Sequence, residues 1–153
     1  MDFAYNDEQK EIIKVVRDLV EKEIVPYAAE MDETGKLHEG LLEKLAAQGL
    51  LGVAIPEEFG GAGLDAITIA AIYEELGKGC AGVATTVAAN ALASYPVIIA
   101  GNDDQKKRYF DIINDDNLAA FALTEPGTGS DAGSVSTRAM KTEDGKGYIL
   151  NGT

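Results

Sequence analysis

The 153 residues carry 26 acidic side chains against 13 basic ones, a formal net charge of −13. Apolar residues make up 46% of the chain and charged residues 25%, which is ordinary for a globular protein with a core. So acidic a chain repels phosphate backbones and anionic lipid headgroups, which excludes nucleic acid and membrane surfaces as general partners. An anionic ligand would need a local pocket of main-chain N–H groups.

The chain has one cysteine, Cys80, and one histidine, His38. A lone cysteine cannot form an internal disulfide, and a lone histidine without cysteine partners cannot form a zinc site. We expect Cys80 to be a small packed residue and His38 to be a surface residue near a helix start. The first residues show neither a secretory signal nor a transit peptide, and a cytoplasmic location is the default expectation.

The first hundred residues predict a series of helices. Asn6, followed three positions later by Gln9, has the pattern of reciprocal helix capping, and apolar residues then recur at helical spacing until Pro26. A second helix is predicted over about 39–48, with Gly49 as its left-handed terminator.

Three more helices are predicted before residue 117. Asp65 is expected to cap the first of them, which Gly77 closes. The next, about 82–100, is apolar nearly all round, which predicts a helix inside the bundle and not a membrane span. Asp103 is expected to cap the last. Its predicted core residues are Tyr109, Phe110, Ile112 and Ile113.

The pattern changes to short strands after residue 117. Leu118–Leu123 is a compact apolar run, too short for a typical helix, and residues 135–140 alternate weakly between apolar and polar. Residues 143–147 have turn composition, and 148–150 would form the returning strand. We therefore predict three short strands.

Helices followed by strands indicate an α+β chain. We predict an all-α helical-bundle domain at 1–117, followed by the first strands of a β domain at 118–153. Three strands of this size leave an open edge and a poorly covered face. The sequence therefore favours a piece of a larger or split protein over a naturally short product.

The segment Thr124–Ser134 is the part of the sequence that indicates chemistry. It combines three glycines with hydroxyl and carboxylate side chains, directly after the first predicted strand. Glycines let successive main-chain N–H groups converge, and with the hydroxyls of Thr124, Thr128 and Ser130 these form a site for phosphate or carbonyl oxygens. A glycine-rich hairpin loop without a ligand fits the same composition equally well.

Two known nucleotide-binding motifs fit this loop poorly. Gly127, Gly129 and Ala132 match the dinucleotide fingerprint G-x-G-x-x-G/A, but that motif requires a helix directly afterwards. Residues 134–137 are rich in β-branched and hydroxyl side chains, so the match is interpreted as accidental. A phosphate-binding P-loop would end in Gly-Lys-Ser/Thr, which is absent from this segment.

The stretch Ala122–Gly133, which reads ALTEPGTGSDAG, closely resembles the first signature of the acyl-CoA dehydrogenases. The resemblance covers the entire chain, and the short-chain (butyryl-CoA) members are the most similar. Four other stretches fit the family in order: 6–9, 49–61, 82–100 and 101–109.

The resemblance implies a helical N-terminal domain, a middle β domain and FAD as the cofactor. Thr124 would bond the isoalloxazine ring system, Leu123 and Gly129 would contact the flavin through the main chain, and Ser130 would also approach the CoA part of the substrate. By position, the flavin-site residues would be Phe121, Leu123, Thr124, Gly129 and Ser130. Glu125 and Asp131 are expected to order the loop and not to act as bases.

In this family a glutamate removes the α-proton of an acyl-CoA thioester while a β-hydride passes to the flavin. That glutamate lies far beyond residue 153 in family members. The resemblance thus implies a chain that is inactive alone and supplies part of the flavin and acyl pocket, the latter from 82–100 and 52–63.

Family members commonly form homotetramers and pass electrons to an electron-transferring flavoprotein. Two alternatives use no flavin: a free-standing helical interaction module and, more weakly, nicotinamide binding through the fingerprint match.

Overall fold

The computed structural model describes residues 4–114 and 117–153. The chain divides into two compact units, Met1–Ala120 and Phe121–Thr153. Within the described residues the first unit is helical, and the second carries a two-stranded antiparallel sheet. The predicted α+β class, with helices first and strands after them, is confirmed. The limits 1–117 and 118–153 for the complete domains stay a prediction.

Helix α1 spans Asp7–Leu19 and begins as the sequence predicts. The Asn6 side chain accepts the N–H of Gln9 at 2.8 Å, and the Gln9 side chain accepts the N–H of Asn6 at 3.1 Å. A π-helical turn, Val20–Ile24, and a 3₁₀ turn, Val25–Tyr27, continue the chain. The helical pattern changes at this point because Pro26 has no N–H to donate.

Helix α2, Ala28–Thr34, follows and was not predicted. It ends at Gly35, which has a left-handed φ of 65°. Helix α3, Leu41–Ala47, is shorter than predicted, and Gly49 after it has the predicted left-handed conformation, with φ 70°.

Helix α4, Ala66–Gly79, is capped by Asp65, whose carboxylate accepts two main-chain N–H groups of the first turn. The prediction that Gly77 ends this helix is wrong, since it continues to Gly79. A Cβ on Gly79 would lie 2.6 Å from the Val20 side chain, so a glycine is needed where α4 meets the π-helical turn.

Helices α5, Ala81–Ala100, and α6, Asp103–Ile113, complete the helical unit. The predicted cap Asp103 is wrong: Asn102 accepts the N–H of Gln105 at 2.9 Å, and Asp103 is the first residue of the helix. Of the four predicted core residues of α6, Phe110 and Ile113 are buried, while Ile112 is exposed.

The prediction that α5 lies inside the bundle is correct for only one of its faces. One face packs into the core, and the other leaves Leu92, Tyr95 and Ile99 exposed. Composition alone cannot show which face of an apolar helix is covered. Among the described residues α5 is also the one helix long and apolar enough to cross a membrane, a test that a core helix passes as well.

The core of the helical unit is formed by α1, the π-helical turn, α3 with the residues that follow it, α4 and α5, and α2 contributes Met31. Cys80 packs partly buried against it, as expected. His38 is partly buried, since its ring stacks on Tyr27 with centroids 3.5 Å apart. The most deeply buried apolar residues of this core are Ile24, Leu41, Leu45, Ile72, Leu76, Val83 and Val87.

In the second unit, β1, Arg138–Lys141, pairs with β2, Tyr148–Asn151. Every residue of both strands is exposed. The connecting turn contains Gly145 at a left-handed φ of 68°. The predicted strand Leu118–Leu123 is wrong, because these residues join no ladder within the described part of the chain. A strand requires a hydrogen-bonded neighbour, and the apolar composition of this run does not show whether such a neighbour is present.

Candidate functional site

The loop after Thr124 is closed at its base by two main-chain hydrogen bonds. The N–H of Thr128 donates to the Glu125 carbonyl at 3.0 Å, and the N–H of Glu125 donates to the Thr128 carbonyl at 3.2 Å. Pro126 and Gly127 form the turn between them, with proline at the position where its fixed φ suits a turn. A single 3₁₀ turn, Ala132–Ser134, follows, and this is too short to present a helix N-terminus to a pyrophosphate.

The Glu125 carboxylate holds the two sides of the loop together. It is 9% exposed and accepts the N–H and the hydroxyl of Ser136, at 2.8 and 2.6 Å, and the N–H of Thr137 at 2.8 Å. These hydrogen bonds, that of Ser136 first, lower the pKa of Glu125 to about 2. Glu125 is therefore ionised at neutral pH and orders the loop, as the sequence analysis expected.

The hydroxyl groups of the loop fall into two sets. Thr128 donates to the Ser134 carbonyl at 2.9 Å, Ser134 donates to the Asp131 carboxylate, and Ser136 donates to Glu125. By contrast, the hydroxyls of Thr124 and Ser130 are exposed. Neither makes a hydrogen bond to any of the described residues.

The main-chain groups of the loop also divide into those that make hydrogen bonds and those that do not. Within residues 4–114 and 117–153, the N–H and C=O groups of Leu123 and Gly129 are not used in hydrogen bonds. A Cβ built on Gly129 would meet no atom within 4 Å, so the space beside it is open. Phe121 and Leu123 are 41% and 43% exposed. All five predicted flavin residues thus lie on the open surface of the second unit, and their assignment stays a prediction.

A groove lies between α4 and α5 in the first unit. Its volume is about 320 Å³, and its walls are almost entirely apolar. The sequence predicts part of an acyl pocket on α5, but the two tyrosines at this groove could not be singled out from it, because an aromatic residue in a helix usually signals core packing. The groove is lined by Tyr73 of α4 and by Thr85, Ala88, Ala89, Leu92 and Tyr95 of α5.

Asn90 lies on the buried face of α5 and is 1% exposed. Its amide donates to the carbonyls of Leu51 and Asn117, at 3.3 and 3.4 Å, and accepts the N–H of Ala119 at 2.7 Å. One buried side chain therefore fixes both the connector before α4 and the last residues of the helical unit to α5. Sequence reasoning missed this role, since a single Asn in an apolar helix gives no indication of its partners.

Comparison with known proteins identifies the family of this chain. The family described as "Acyl-CoA dehydrogenase, N-terminal domain" matches residues 6–114. The chain is 43% identical over 149 residues to a 3-(aryl)acrylate reductase of Clostridium sporogenes, an alignment that covers 95% of this chain and 39% of the reductase.

Two solved structures have the same fold. Butyryl-CoA dehydrogenase from Megasphaera elsdenii superposes with a TM-score of 0.84 at 36% identity, over 99% of this chain and 41% of that one. An acyl-CoA dehydrogenase complexed with FAD from Bacillus anthracis superposes with a TM-score of 0.83 at 37% identity, over 97% of this chain and 26% of that one.

The helical unit and the signature loop thus define a chain of the acyl-CoA dehydrogenase type. The chain belongs to the acyl-CoA dehydrogenase family, through that family's N-terminal domain. It spans about two fifths of the length of the reductase and of butyryl-CoA dehydrogenase.

Proposed function

We propose that this chain forms part of an FAD-dependent acyl-CoA dehydrogenase that oxidises short-chain acyl-CoA thioesters at the α and β carbons. The observation that carries the proposal is the division of the loop into used and unused groups. A carboxylate and three hydroxyls hold the loop in shape, while Thr124, Ser130 and the main chain of Leu123 and Gly129 are left for a ligand. Such a preorganised set of donors and acceptors is what cofactor binding requires.

The residues present fit FAD. Bound there, FAD would accept the hydride that leaves the β carbon. Thr124 would hydrogen-bond the ring system, Leu123 and Gly129 would offer main-chain groups, and Phe121 would contribute apolar surface. The open space beside Gly129 permits a close approach of the cofactor to the backbone.

On the substrate side, Ser130 of the second unit would bind the CoA part. For the first unit we propose separately that the apolar wall formed by Ala88, Ala89 and Leu92 is part of an acyl pocket. Exclusion of water by apolar walls strengthens the electrostatic interactions that polarise a thioester.

The proposal also covers the whole protein. The base that removes the α-proton is expected outside these 153 residues, so the chain alone should be inactive. We propose electron-transferring flavoprotein as the electron acceptor, a homotetramer as the assembly and the cytoplasm as the location. Family membership supports the electron acceptor and the assembly.

The first experiment is a visible absorption spectrum of the purified 153-residue chain with added FAD after desalting. We expect little or no retained flavin, because a single loop leaves much of the cofactor without contacts. A stoichiometric flavin band would show that this chain contains a self-sufficient site.

The second experiment tests the assigned residues in the full-length protein that carries this loop. Thr124→Ala and Ser130→Ala should each weaken flavin or thioester binding about fivefold or more, since each removes one hydrogen bond, and should leave the helical circular dichroism unchanged. Thr153→Ala, an exposed threonine of the same unit outside the predicted site, is the matched control. Unchanged affinity in both site variants would contradict the proposal.

One observation favours a second candidate function. Leu92, Tyr95 and Ile99 leave an apolar strip of α5 exposed, which suits a helical module that binds a protein partner without flavin. Under this alternative Thr124→Ala and Ser130→Ala would have no effect on ligand binding.

A further inference from the structure

Asn151 is the only asparagine of the sequence that is followed by glycine, Gly152. In such a pair the main-chain nitrogen of the glycine can attack the side-chain carbonyl carbon of the asparagine and close a succinimide ring. Glycine permits this reaction best, because it has no Cβ to obstruct the ring and reaches unusual backbone angles at little cost. Whether the reaction occurs depends on how freely the two groups can move together.

Both reacting groups of this pair are unused in the structure. The Gly152 N–H and the Asn151 side-chain amide make no hydrogen bond to any residue within 4–114 and 117–153. Asn151 is exposed and pairs with Arg138 at the end of the two-stranded ladder. Every residue of this small sheet is exposed, so its last pair can open at little cost in free energy.

Asp144 and Gly145, in the turn of the same hairpin, form a comparable pair that is held in place. The Gly145 N–H is used, since it donates to the Thr142 carbonyl at 2.9 Å. The Asp144 carboxylate accepts the Thr142 hydroxyl at 2.6 Å and the Lys146 N–H at 3.1 Å. These hydrogen bonds, that of the Thr142 hydroxyl first, lower the pKa of Asp144, and an ionised carboxylate is a poor target for a nucleophile. The turn therefore opposes in Asp144 the reaction that the strand end leaves open to Asn151.

Packing also keeps a glycine after Asn151. A Cβ built on Gly152 would overlap the hydroxyl of Thr137, which lies directly before β1. A larger residue at position 152 would slow the ring closure, but this hairpin has no room for its side chain.

We propose that Asn151 is a site of spontaneous deamidation. The Gly152 nitrogen loses its proton to solvent and forms a bond to the side-chain carbonyl carbon of Asn151, whose amide nitrogen takes up a proton and leaves as ammonia. Water then opens the ring at either carbonyl, and nothing is oxidised or reduced. The products are aspartate, which places a negative charge opposite Arg138, and isoaspartate, which adds a carbon to the main chain and breaks the pairing with Arg138.

The experiment incubates three forms of the chain at pH 8 and locates lost amide groups by peptide mass mapping. The forms are the unchanged chain, Asn151→Gln and Asp144→Asn. Gln carries its amide one carbon further out, which disfavours the ring. Asp144→Asn creates a second Asn-Gly pair whose glycine N–H is engaged, so it is the matched comparison for Asn151. Parallel incubations in urea give the rate at each position in the unfolded chain.

We expect folding to slow deamidation of Asn151 by no more than about threefold relative to urea. At position 144 of Asp144→Asn, folding should slow it by about tenfold, which corresponds to about 1.4 kcal/mol in the barrier. Asn151→Gln should stay unmodified at position 151. An Asn151 that deamidates in urea but stays intact in the folded chain would overturn the site, and equal slowing at positions 144 and 151 would overturn the role of the unused Gly152 N–H.

Discussion

Replacing Glu75 by Gln removes the centre of an ion-pair network between α1 and α4. The Glu75 carboxylate accepts two hydrogen bonds from Arg17, at 3.0 and 2.9 Å, and one from Lys78 at 2.8 Å. Glu75 is only 5% exposed, so few water molecules could replace these donors. The change to Gln keeps the shape of the side chain and removes its charge.

The expected magnitude follows from the pKa of Glu75. The hydrogen bond from Arg17 is the largest cause, opposed by burial and helped by Lys78, and the pKa falls from its usual 4.5 to about 2. At about 1.4 kcal/mol per unit this corresponds to about 3 kcal/mol of folding free energy. Arg17 is half exposed, so solvent screening reduces the figure, and we expect Glu75→Gln to lower the free energy of unfolding by about 1–3 kcal/mol at pH 7.

The pH dependence has a definite sign. Because the folded-state pKa lies below the unfolded one, the contribution of Glu75 is fully present above about pH 4.5 and is lost as the pH falls towards 2. The difference in unfolding free energy between the unchanged chain and Glu75→Gln should therefore be constant from pH 7 to 5. It should shrink steadily below pH 4.5.

The assay is urea unfolding followed by far-UV circular dichroism at pH 7, 5 and 3. Glu74→Gln is the matched control. It removes the same charge from the neighbouring residue, whose carboxylate is 63% exposed. We expect that control to change stability by less than about 0.5 kcal/mol. Equal effects of the two variants, or a Glu75→Gln effect that does not change between pH 5 and 3, would refute the reasoning.

Two further predictions concern Glu125 and Asn90. In Glu125→Gln an N–H₂ group replaces one of the accepting oxygens, so the amide protons of Ser136 and Thr137 should exchange faster with solvent by NMR than in the control Glu143→Gln. In the unchanged chain the protection of the same amides, measured relative to the intrinsic exchange rate at each pH, should decrease only as the pH falls from 4.5 towards 2, because the pKa of Glu125 is lowered. Asn90→Ala leaves three main-chain groups, one buried and two partly buried, without the Asn90 side chain as their partner. It should lower the free energy of unfolding by about 1–3 kcal/mol and so lower the urea midpoint; an unchanged midpoint would contradict the role of Asn90.

Features that depend on a few neighbouring residues could be predicted from the sequence. The reciprocal cap of Asn6 and Gln9, the Asp65 cap and the left-handed Gly49 each involve residues within three or four positions of one another. Asn102 and Asp103 show the limit of such reasoning: both residue types cap helices well, and only the backbone decides which one lies outside the first turn.

Features that depend on distant partners could not be predicted. The buried face of α5 is chosen by α4 and by the connector that Asn90 binds, and neither choice is visible in a helix without charged residues. Leu118–Leu123 has the composition of a strand, but no described residue forms a strand ladder with it.

The pKa and the hydrogen bonds of Glu125 decide whether this residue can act as the base in the proposed reaction. It is one residue from Thr124, so it is the carboxylate nearest in sequence to the predicted flavin contacts, and its position alone would suggest a catalytic base. A base at neutral pH needs a pKa near the working pH, whereas that of Glu125 is about 2, and its oxygens are occupied by Ser136 and Thr137. Taking a proton would weaken the hydrogen bonds that hold the loop in shape. If the dehydrogenation we propose is correct, the α-proton therefore has to be removed by a residue other than Glu125, and the loop contributes binding and orientation.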